Sequence, residues 1–346
     1  MNYRNLAHTG VQVSQYALGG GMFGSLTTKE DSIQMIHEAI NAGINLIDTS
    51  SRYADGESEQ IIGQAIKGRR DDVILATKFG AEPNNKLNQN GSSRRWVRQV
   101  VEKSLKRLQT DYIDLYQLHH PFSDTSFQET LGVLTDLVQE GKVRYIGTSN
   151  HQAWQIIEAQ AVSERHHLQR FVSEQSPYSL INRSIEQDIT EVARRYDLAI
   201  LTYGPLAGGL LTGKYTAGHA ADSHSRAVFL KGAVGLTLNP ELPENKHKFD
   251  IILQLQQVAD QAGITLAHMA VAFIQNHPAI TSTILGPRTP EQLRQYIAGV
   301  DLRLSSDLLD IIDTIVPPGK RIDDKEQTWT PEWLDSSRRK RTNEIL

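Results

Sequence analysis

Short runs of apolar residues alternate along the chain with segments in which apolar residues recur every three or four positions. Short runs rich in Ile, Leu and Val are typical of buried parallel strands, and the longer amphipathic pattern is typical of helices packed on one side. The apolar runs predict strands near 15–19, 44–48, 73–78, 113–118, 143–148, 171–174, 198–203 and 283–285. The helical pattern occurs near 29–42, 58–67, 93–109, 126–139, 152–163, 186–196, 249–262 and 290–299.

This alternation predicts the fold class. About eight strand–helix units favour an α/β fold closed into a (β/α)8 TIM barrel over an open sheet. Two short runs on either side of Thr9–Gly10 predict an N-terminal β-hairpin that plugs the N-terminal end of the barrel. Helical patterns at 266–276, before the last strand, and at 305–313 predict extra helices towards the C-terminus. We therefore expect a single domain over 1–346, with the barrel at about 15–300 and a C-terminal extension at 301–346.

Composition and charge exclude several classes of protein. The chain has 346 residues and a net charge of −4, which disfavours binding to bulk nucleic acid. No apolar stretch reaches ~18 residues and the N-terminus lacks the apolar core of a signal peptide, so we expect no membrane span and a cytoplasmic protein. The chain has no Cys, which excludes disulfides, thiolate metal sites and a Cys nucleophile. Its His residues show no spacing typical of metal ligands, and the sequence is compatible with a monomer or a homo-oligomer.

Four polar residues lie at or just after the ends of predicted strands: Asp48, Tyr53, Lys78 and His119. The carboxyl ends of parallel strands converge on one face of a barrel, so we expect these side chains to meet there. A phenol has a reference pKa of about 10, and a cation within ~4–6 Å lowers the pKa of such a group. We interpret Tyr53 as a general acid, Lys78 as the cation, Asp48 as the carboxylate that holds Lys78, and His119 as a hydrogen-bonding partner of the substrate oxygen. Taken singly, Tyr53 could instead be a packing aromatic and Asp48 a local cap.

Seven motifs occur in the order found in one enzyme family. They are DTSSRY (48–53), ATKFG (76–80), DLYQLHHP (114–121), GTSN (147–150), SEQSPYSL (173–180), YGPLAGGLLTGKY (203–215) and GPRTPEQL (286–293). Over roughly residues 1 to 300 the chain resembles the aldo-keto reductase family, in the branch of bacterial sugar and aldehyde reductases related to potassium-channel β subunits. The resemblance implies a (β/α)8 barrel, NADPH (NADP⁺) as cofactor and a small-molecule carbonyl substrate. It also selects His119 over its neighbour His120 as the catalytic histidine.

The resemblance further implies where cofactor and substrate bind. The implied cofactor contacts are Gly21, Met22, Ser149, Asn150, Gln175, Tyr203, Gly204, Pro205, Leu206, Gly208, Lys214, Arg226, Gly286, Arg288, Gln292, Gln295 and Tyr296. Arg288 and the helix start at Thr289 are expected to take the adenosine 2′-phosphate, because a helix N-terminus favours anions. Tyr296 stands where the family commonly has Asn. The candidate substrate contacts are Met22, Phe23, His120 and Phe122.

Two glycine-rich segments match other nucleotide-binding motifs imperfectly. Residues 19–24 satisfy G-x-G-x-x-G, but the capping box Thr27–Glu30 starts the next helix later than a Rossmann fingerprint requires. We interpret the segment as a loop that lets the nicotinamide approach the backbone, with a flexible turn and a Rossmann fingerprint as alternatives. Residues 208–214 satisfy GxxxxGK, but Tyr215 stands where a Walker A motif needs Ser or Thr. Their glycine backbone can still offer N–H groups to a pyrophosphate.

These patterns together predict an NADPH-dependent reductase that converts an aldehyde or ketone, such as a sugar or small aldehyde, to the alcohol. One alternative is an NAD(P)-dependent aldose or alcohol dehydrogenase that works in the oxidative direction. Another is a regulatory subunit that binds NADPH and resembles the potassium-channel β subunits. The complete set of Asp48, Tyr53, Lys78 and His119 favours an active enzyme.

Overall fold

The computed structural model describes residues 1–80, 87–214, 238–240 and 242–323. A hairpin of β1 (Tyr3–Asn5) and β2 (Gln12–Ser14) precedes a closed barrel of parallel strands in the order β10-β3-β4-β5-β6-β7-β8-β9. The barrel strands are β3 (Tyr16–Gly19), β4 (Leu46–Asp48), β5 (Ile74–Phe79), β6 (Ile113–Leu118), β7 (Val143–Ser149), β8 (Phe171–Pro177), β9 (Ala199–Tyr203) and β10 (Ile280–Leu285). The predicted (β/α)8 barrel is confirmed.

Helices connect the barrel strands and cover the outside of the barrel. They are α1 (Lys29–Asn41), α2 (Glu57–Ala65), α3 (Arg94–Leu108), α4 (Phe127–Gln139), α5 (Ala153–His166), α6 (Ile189–Tyr196), α7 (Lys246–Gln261), α8 (Leu266–Asn276), α9 (Pro290–Ala298) and α10 (Ser306–Ile315). Several begin at a Ser or Thr whose side-chain oxygen accepts a backbone N–H of the first turn, as an N-cap does. These caps are Thr28, one residue after the predicted Thr27, and Ser126, Thr265, Thr289 and Ser305. No helix in the described ranges combines the length and hydrophobicity that a membrane span requires.

The N-terminal hairpin closes one end of the barrel. Leu6 and Val13 are fully buried and pack on small and aliphatic side chains inside the barrel, including Ala17, Leu46 and Leu115. The opposite end, formed by the carboxyl ends of the strands, opens into a cavity of about 1150 Å³. Because the hairpin fills one end with apolar side chains, polar chemistry is confined to the other.

Candidate active site

A buried ion pair lies at the floor of the cavity. Lys78, near the end of β5, donates to the Asp48 carboxylate at the end of β4 and to the carbonyl oxygen of Thr49, the latter at 2.9 Å. Both charged side chains are almost fully excluded from solvent. Burial alone would lower the pKa of Lys78, but Asp48 and the Tyr53 hydroxyl outweigh it and raise that pKa above the usual value. Lys78 therefore stays an ammonium at neutral pH.

The second oxygen of Asp48 orients two amides. Gln117 on β6 and Gln175 on β8 each donate an amide N–H to Oδ2 of Asp48 at 3.0 Å. Residues from β4, β6 and β8 thus share one layer, as expected because alternate strands contribute the side chains of each layer inside such a barrel. The Asp48 carboxylate accepts three hydrogen bonds and joins the candidate catalytic residues to Gln175.

Tyr53 lies above this pair, at the start of a short 3₁₀ turn that follows β4. The Lys78 ammonium lies 5.2 Å from the centroid of the Tyr53 ring, and Tyr53 contributes to the raised pKa of Lys78. Ala54 and Asp55, which follow, have φ values of 47° and 52° in the left-handed region, a conformation that costs about 1–3 kcal/mol in non-glycine residues. Two such residues beside a candidate catalytic tyrosine are typical of a functional turn.

His119 contacts the Tyr53 ring edge-on, with a distance of 5.9 Å between the ring centroids. Burial first, then the nearby charge of Lys78, lowers the pKa of His119 well below its usual value. Its neighbour His120 stacks on it at 4.7 Å, and burial followed by the charge of Arg52 lowers the pKa of His120 to about 4. Both rings are therefore neutral at pH 7, so each can donate only one ring N–H.

Four of the predicted cofactor contacts, Ser149, Asn150, Gln175 and Tyr203, form a connected group beside His119. The Tyr203 hydroxyl donates to the side-chain oxygen of Asn150 at 2.7 Å, and the Asn150 amide donates to the His119 carbonyl oxygen at 3.0 Å. The Ser149 hydroxyl donates to the backbone oxygen of Gln175 at 2.9 Å. Asn150, directly after β7, has a φ of 64° in the left-handed region, and its amide also donates to the Ser149 hydroxyl at 3.0 Å. The longest of these contacts joins residues that are 53 positions apart in the sequence.

The predicted anion site lies at the start of α9. The Thr289 hydroxyl caps the helix by accepting the Gln292 N–H at 3.3 Å, and the Gln292 side chain accepts the Arg288 N–H at 2.9 Å. Arg288, Gln292, Gln295 and Tyr296 all line the cavity. A guanidinium, a helix N-terminus and two amides therefore face the same space.

The cavity wall contains nearly all of the predicted cofactor positions. Besides the residues already described, the wall includes Gly21, Met22, His120, Gly204, Pro205, Leu206, Gly208, Lys214 and Gly286. Phe23 is fully buried in the outer core, and Phe122 packs beside Gly80. In the part of the chain that the structure describes, neither phenylalanine belongs to the wall. Arg226 lies outside the described residues.

Three further residues of the wall are not among the predicted contacts, although two of them lie in the motif at 173–180. Tyr178, Ser179 and Asn182 line the cavity from the segment after β8. That segment is held by the chain beyond α10, where the Ile322 N–H donates to the Ile181 carbonyl oxygen at 3.0 Å. Such a contact joins residues more than a hundred positions apart and has no local pattern.

The chemistry of the wall fits a nicotinamide dinucleotide. An added Cβ would meet no atom within 4 Å at Gly204 or Gly286, so their backbone faces open space that a ligand can occupy. Lys214 and Arg288 supply positive charge, and among the described lining residues Asp48 is the one carboxylate, already paired with Lys78. No group of three or more His, Asp or Glu side chains in the described ranges is arranged to hold a metal ion.

Comparison with known proteins identifies the family. The model of the Aldo/keto reductase family matches residues 16–317. "Uncharacterized oxidoreductase YrpG" of Bacillus subtilis (strain 168) is 36% identical over 92% of this chain and 97% of its own length. "Aldo-keto reductase YhdN" of the same organism is 36% identical, over 91% and 94%. A "Probable voltage-gated potassium channel subunit beta" of Oryza sativa subsp. japonica is 32% identical, over 91% and 97%. The chain belongs to the aldo/keto reductase family.

Proposed function

We propose that this protein is an NADPH-dependent oxidoreductase that reduces an aldehyde or ketone to the alcohol. The observation that carries the proposal is the position of the buried Lys78 ammonium, which is paired with Asp48 and lies 5.2 Å from the centroid of the Tyr53 ring. The family membership and the relatives named as oxidoreductases support carbonyl reduction in general.

Each residue of the group has a separate role in this proposal. NADPH, when bound, would supply the hydride for the carbonyl carbon. Tyr53 donates its hydroxyl proton to the carbonyl oxygen, and a phenolate left behind is stabilised by the Lys78 ammonium beside it. Asp48 balances the charge of Lys78, which would be costly to bury alone. The neutral His119 ring donates a hydrogen bond to the same carbonyl oxygen and fixes its direction.

The proposed preference for NADPH rests on the start of α9. Arg288 can form a charge-assisted contact with a 2′-phosphate, and the capped helix end adds backbone N–H groups. Gln175, oriented by Asp48, and the Ser149–Asn150 pair are proposed to hold the carboxamide, with Tyr203 stacked on the ring. Each of these groups lines the cavity.

One second function is favoured by a specific observation. The relative from Oryza sativa named as a probable channel β subunit raises the alternative that this chain binds a nicotinamide cofactor as a regulatory subunit. The buried Lys78–Asp48 pair beside Tyr53 favours the enzyme, because cofactor binding alone does not need a proton donor. A dehydrogenase that works in the oxidative direction would use the same residues, since proton transfer by Tyr53 is reversible.

The test is an assay of aldehydes, ketones and sugars with NADPH and with NADH, in which the absorbance of the reduced nicotinamide is followed. We expect turnover of at least one carbonyl compound by the wild type and a large loss in the Tyr53→Phe variant. Tight cofactor binding with no turnover of any carbonyl or alcohol, together with co-purification with a membrane protein, would favour the regulatory subunit.

A further inference from the structure

Ser50, which has no role in the function proposed above, contacts His119 of the candidate active site. It is fully buried in the turn after β4, between Asp48 and Tyr53. Its hydroxyl oxygen lies 3.1 Å from Nδ1 of His119. A buried polar group of this kind needs a hydrogen-bond partner, and for Ser50 that partner is an imidazole nitrogen of the candidate active site.

The state of His119 makes this contact important. Burial and the charge of Lys78 lower the pKa of His119, so the ring is neutral and carries one proton. A neutral imidazole has two tautomers, and the hydrogen bond made by one nitrogen sets the tautomer at the other. Only the tautomer protonated at Nε2 leaves Nδ1 free to accept a hydrogen bond from Ser50.

The surroundings of Ser50 favour donation to His119. The backbone N–H of Arg52 points to the Ser50 hydroxyl oxygen at 3.4 Å, so this oxygen already acts as an acceptor. The hydroxyl proton is then available to Nδ1 of His119. Nδ1 accepts, and the ring proton lies on Nε2.

We propose that Ser50 is a positioning residue that fixes His119 in the Nε2–H tautomer, so that the ring presents a donor to the oxygen of a carbonyl substrate. The inference rests on the proposed carbonyl reduction for its consequence in catalysis. The tautomer itself is a property of the free protein and can be measured without turnover.

The direct test is ¹⁵N NMR of protein labelled at histidine, with the His119 signals assigned from their loss in a His119→Asn variant. The wild type is expected to show a protonated Nε2 and an unprotonated Nδ1. Ser50→Ala is expected to shift His119 towards a mixture of tautomers. Ser51→Ala removes a hydroxyl at the next position of the same turn and should leave the wild-type tautomer unchanged.

Kinetics supply the second measurement. Loss of one neutral hydrogen bond corresponds to about 0.5–1.5 kcal/mol, so Ser50→Ala should lower kcat by about 2- to 12-fold. The Kd for NADPH should stay unchanged, because Ser50 does not line the cavity in the described residues. Ser50→Cys, which keeps a weaker donor, should lie between the wild type and Ser50→Ala.

Two results would overturn the inference. One is a wild-type His119 protonated at Nδ1, which needs no folded variant to observe. The other is a folded Ser50→Ala protein with the wild-type tautomer and the wild-type kcat. Failure of the proposed function gives a different pattern, in which no carbonyl compound is turned over but the NMR spectrum still reports a single Nε2–H tautomer.

Discussion

The amide of Gln175 donates to the Asp48 carboxylate at 3.0 Å, so the carboxylate that holds Lys78 also orients a predicted cofactor contact. One carboxylate therefore contacts both the ammonium beside the proposed proton donor and a residue proposed to bind the nicotinamide. A change in Asp48 should therefore disturb both the Lys78 ammonium and the Gln175 amide, although Asp48 and Gln175 come from opposite sides of the barrel interior.

Asp48→Asn tests this link. The substitution leaves Lys78 buried without a counter-charge, and removal of one partner from a buried ion pair costs about 3–5 kcal/mol. We expect the free energy of unfolding to fall by that amount, turnover to collapse, and the Kd for NADPH to rise. Urea denaturation and fluorescence quenching measure these effects.

Asp136→Asn is the matched control. Asp136 pairs with Arg94 and Arg98 but is about one third exposed, and surface pairs contribute about 0–1 kcal/mol. This variant should keep its cofactor affinity and nearly all of its stability. Equal losses of stability in the two variants would show that burial of the Asp48 pair has no special role.

Arg288→Ala tests cofactor selection. A hydrogen bond to a charged group contributes about 1.5–3 kcal/mol, which corresponds to roughly 10- to 150-fold in affinity. The variant should bind NADPH more weakly by that factor and bind NADH almost unchanged, since NADH has no 2′-phosphate. The affinity of the wild type for NADPH should also fall with added salt more than its affinity for NADH.

Arg294→Ala is the control for this experiment. Arg294 lies on α9, whose N-cap directly follows Arg288, but it is paired with Glu38 and Glu291 at the surface. Its loss should leave both affinities unchanged in isothermal titration. If Arg288→Ala weakened NADPH and NADH equally, Arg288 would have a structural role and the proposed preference would lose its basis.

Glu174 makes a pH-dependent contribution to stability. It is fully buried on the outward side of β8, accepts hydrogen bonds from the Ser176 hydroxyl at 2.8 Å and the His151 N–H at 3.2 Å, and its second oxygen has no partner among the described residues. Burial raises the pKa of Glu174 to about 7, against those hydrogen bonds. Between its usual pKa of 4.5 and 7, the folded protein therefore binds this proton more tightly than the unfolded chain does.

Ionised Glu174 therefore destabilises the fold, and its effect lowers the free energy of unfolding progressively as the pH rises from about 4.5 to 7. A shift of this size corresponds to ~3 kcal/mol at about 1.4 kcal/mol per unit. Glu174→Gln removes the titrating group. As the pH rises from about 4.5 to 7, the free energy of unfolding of this variant, relative to that of the wild type, should therefore increase by up to ~3 kcal/mol. Denaturation of both proteins at several pH values measures this difference in stability. Burial lowers the pKa of His120 and that of His151 to about 4, which gives the opposite dependence on pH. Both proteins contain these histidines, so their effect cancels in the difference. Parallel curves would contradict the prediction.

Most of the barrel follows from the apolar periodicity, and the departures have physical causes. β8 continues to Pro177, beyond the predicted end at 174. The apolar pattern missed its last residues because Glu174, Gln175 and Ser176 are polar, although they are buried and hydrogen-bonded. β10 begins at Ile280. The predicted start at 283 is too late because polar Thr281 and Ser282 interrupt the apolar run of this strand. Buried polar residues in strands weaken the hydrophobic signal near a functional site.

Part of the candidate site can be predicted from the positions of its residues at the ends of parallel strands. Asp48 and Lys78 lie at the ends of neighbouring parallel strands, so the fold alone implies that they meet. The contact of Ser50 with His119 depends on the path of a turn, and the wall at Tyr178 depends on a distant C-terminal segment. Neither leaves a pattern at fixed spacing along the chain.

In the proposed reaction, Tyr53 donates the proton to the carbonyl oxygen. Single-turnover hydride transfer from prebound NADPH to a saturating aldehyde, in the wild type and in Tyr53→Phe, tests it most directly. Phe keeps the ring and removes the hydroxyl that Lys78 contacts, so the rate should fall by about 10²- to 10⁴-fold while the Kd for NADPH stays within error. A Tyr53→Phe protein that retains a tenth or more of the wild-type rate would contradict the assignment of Tyr53 as the acid.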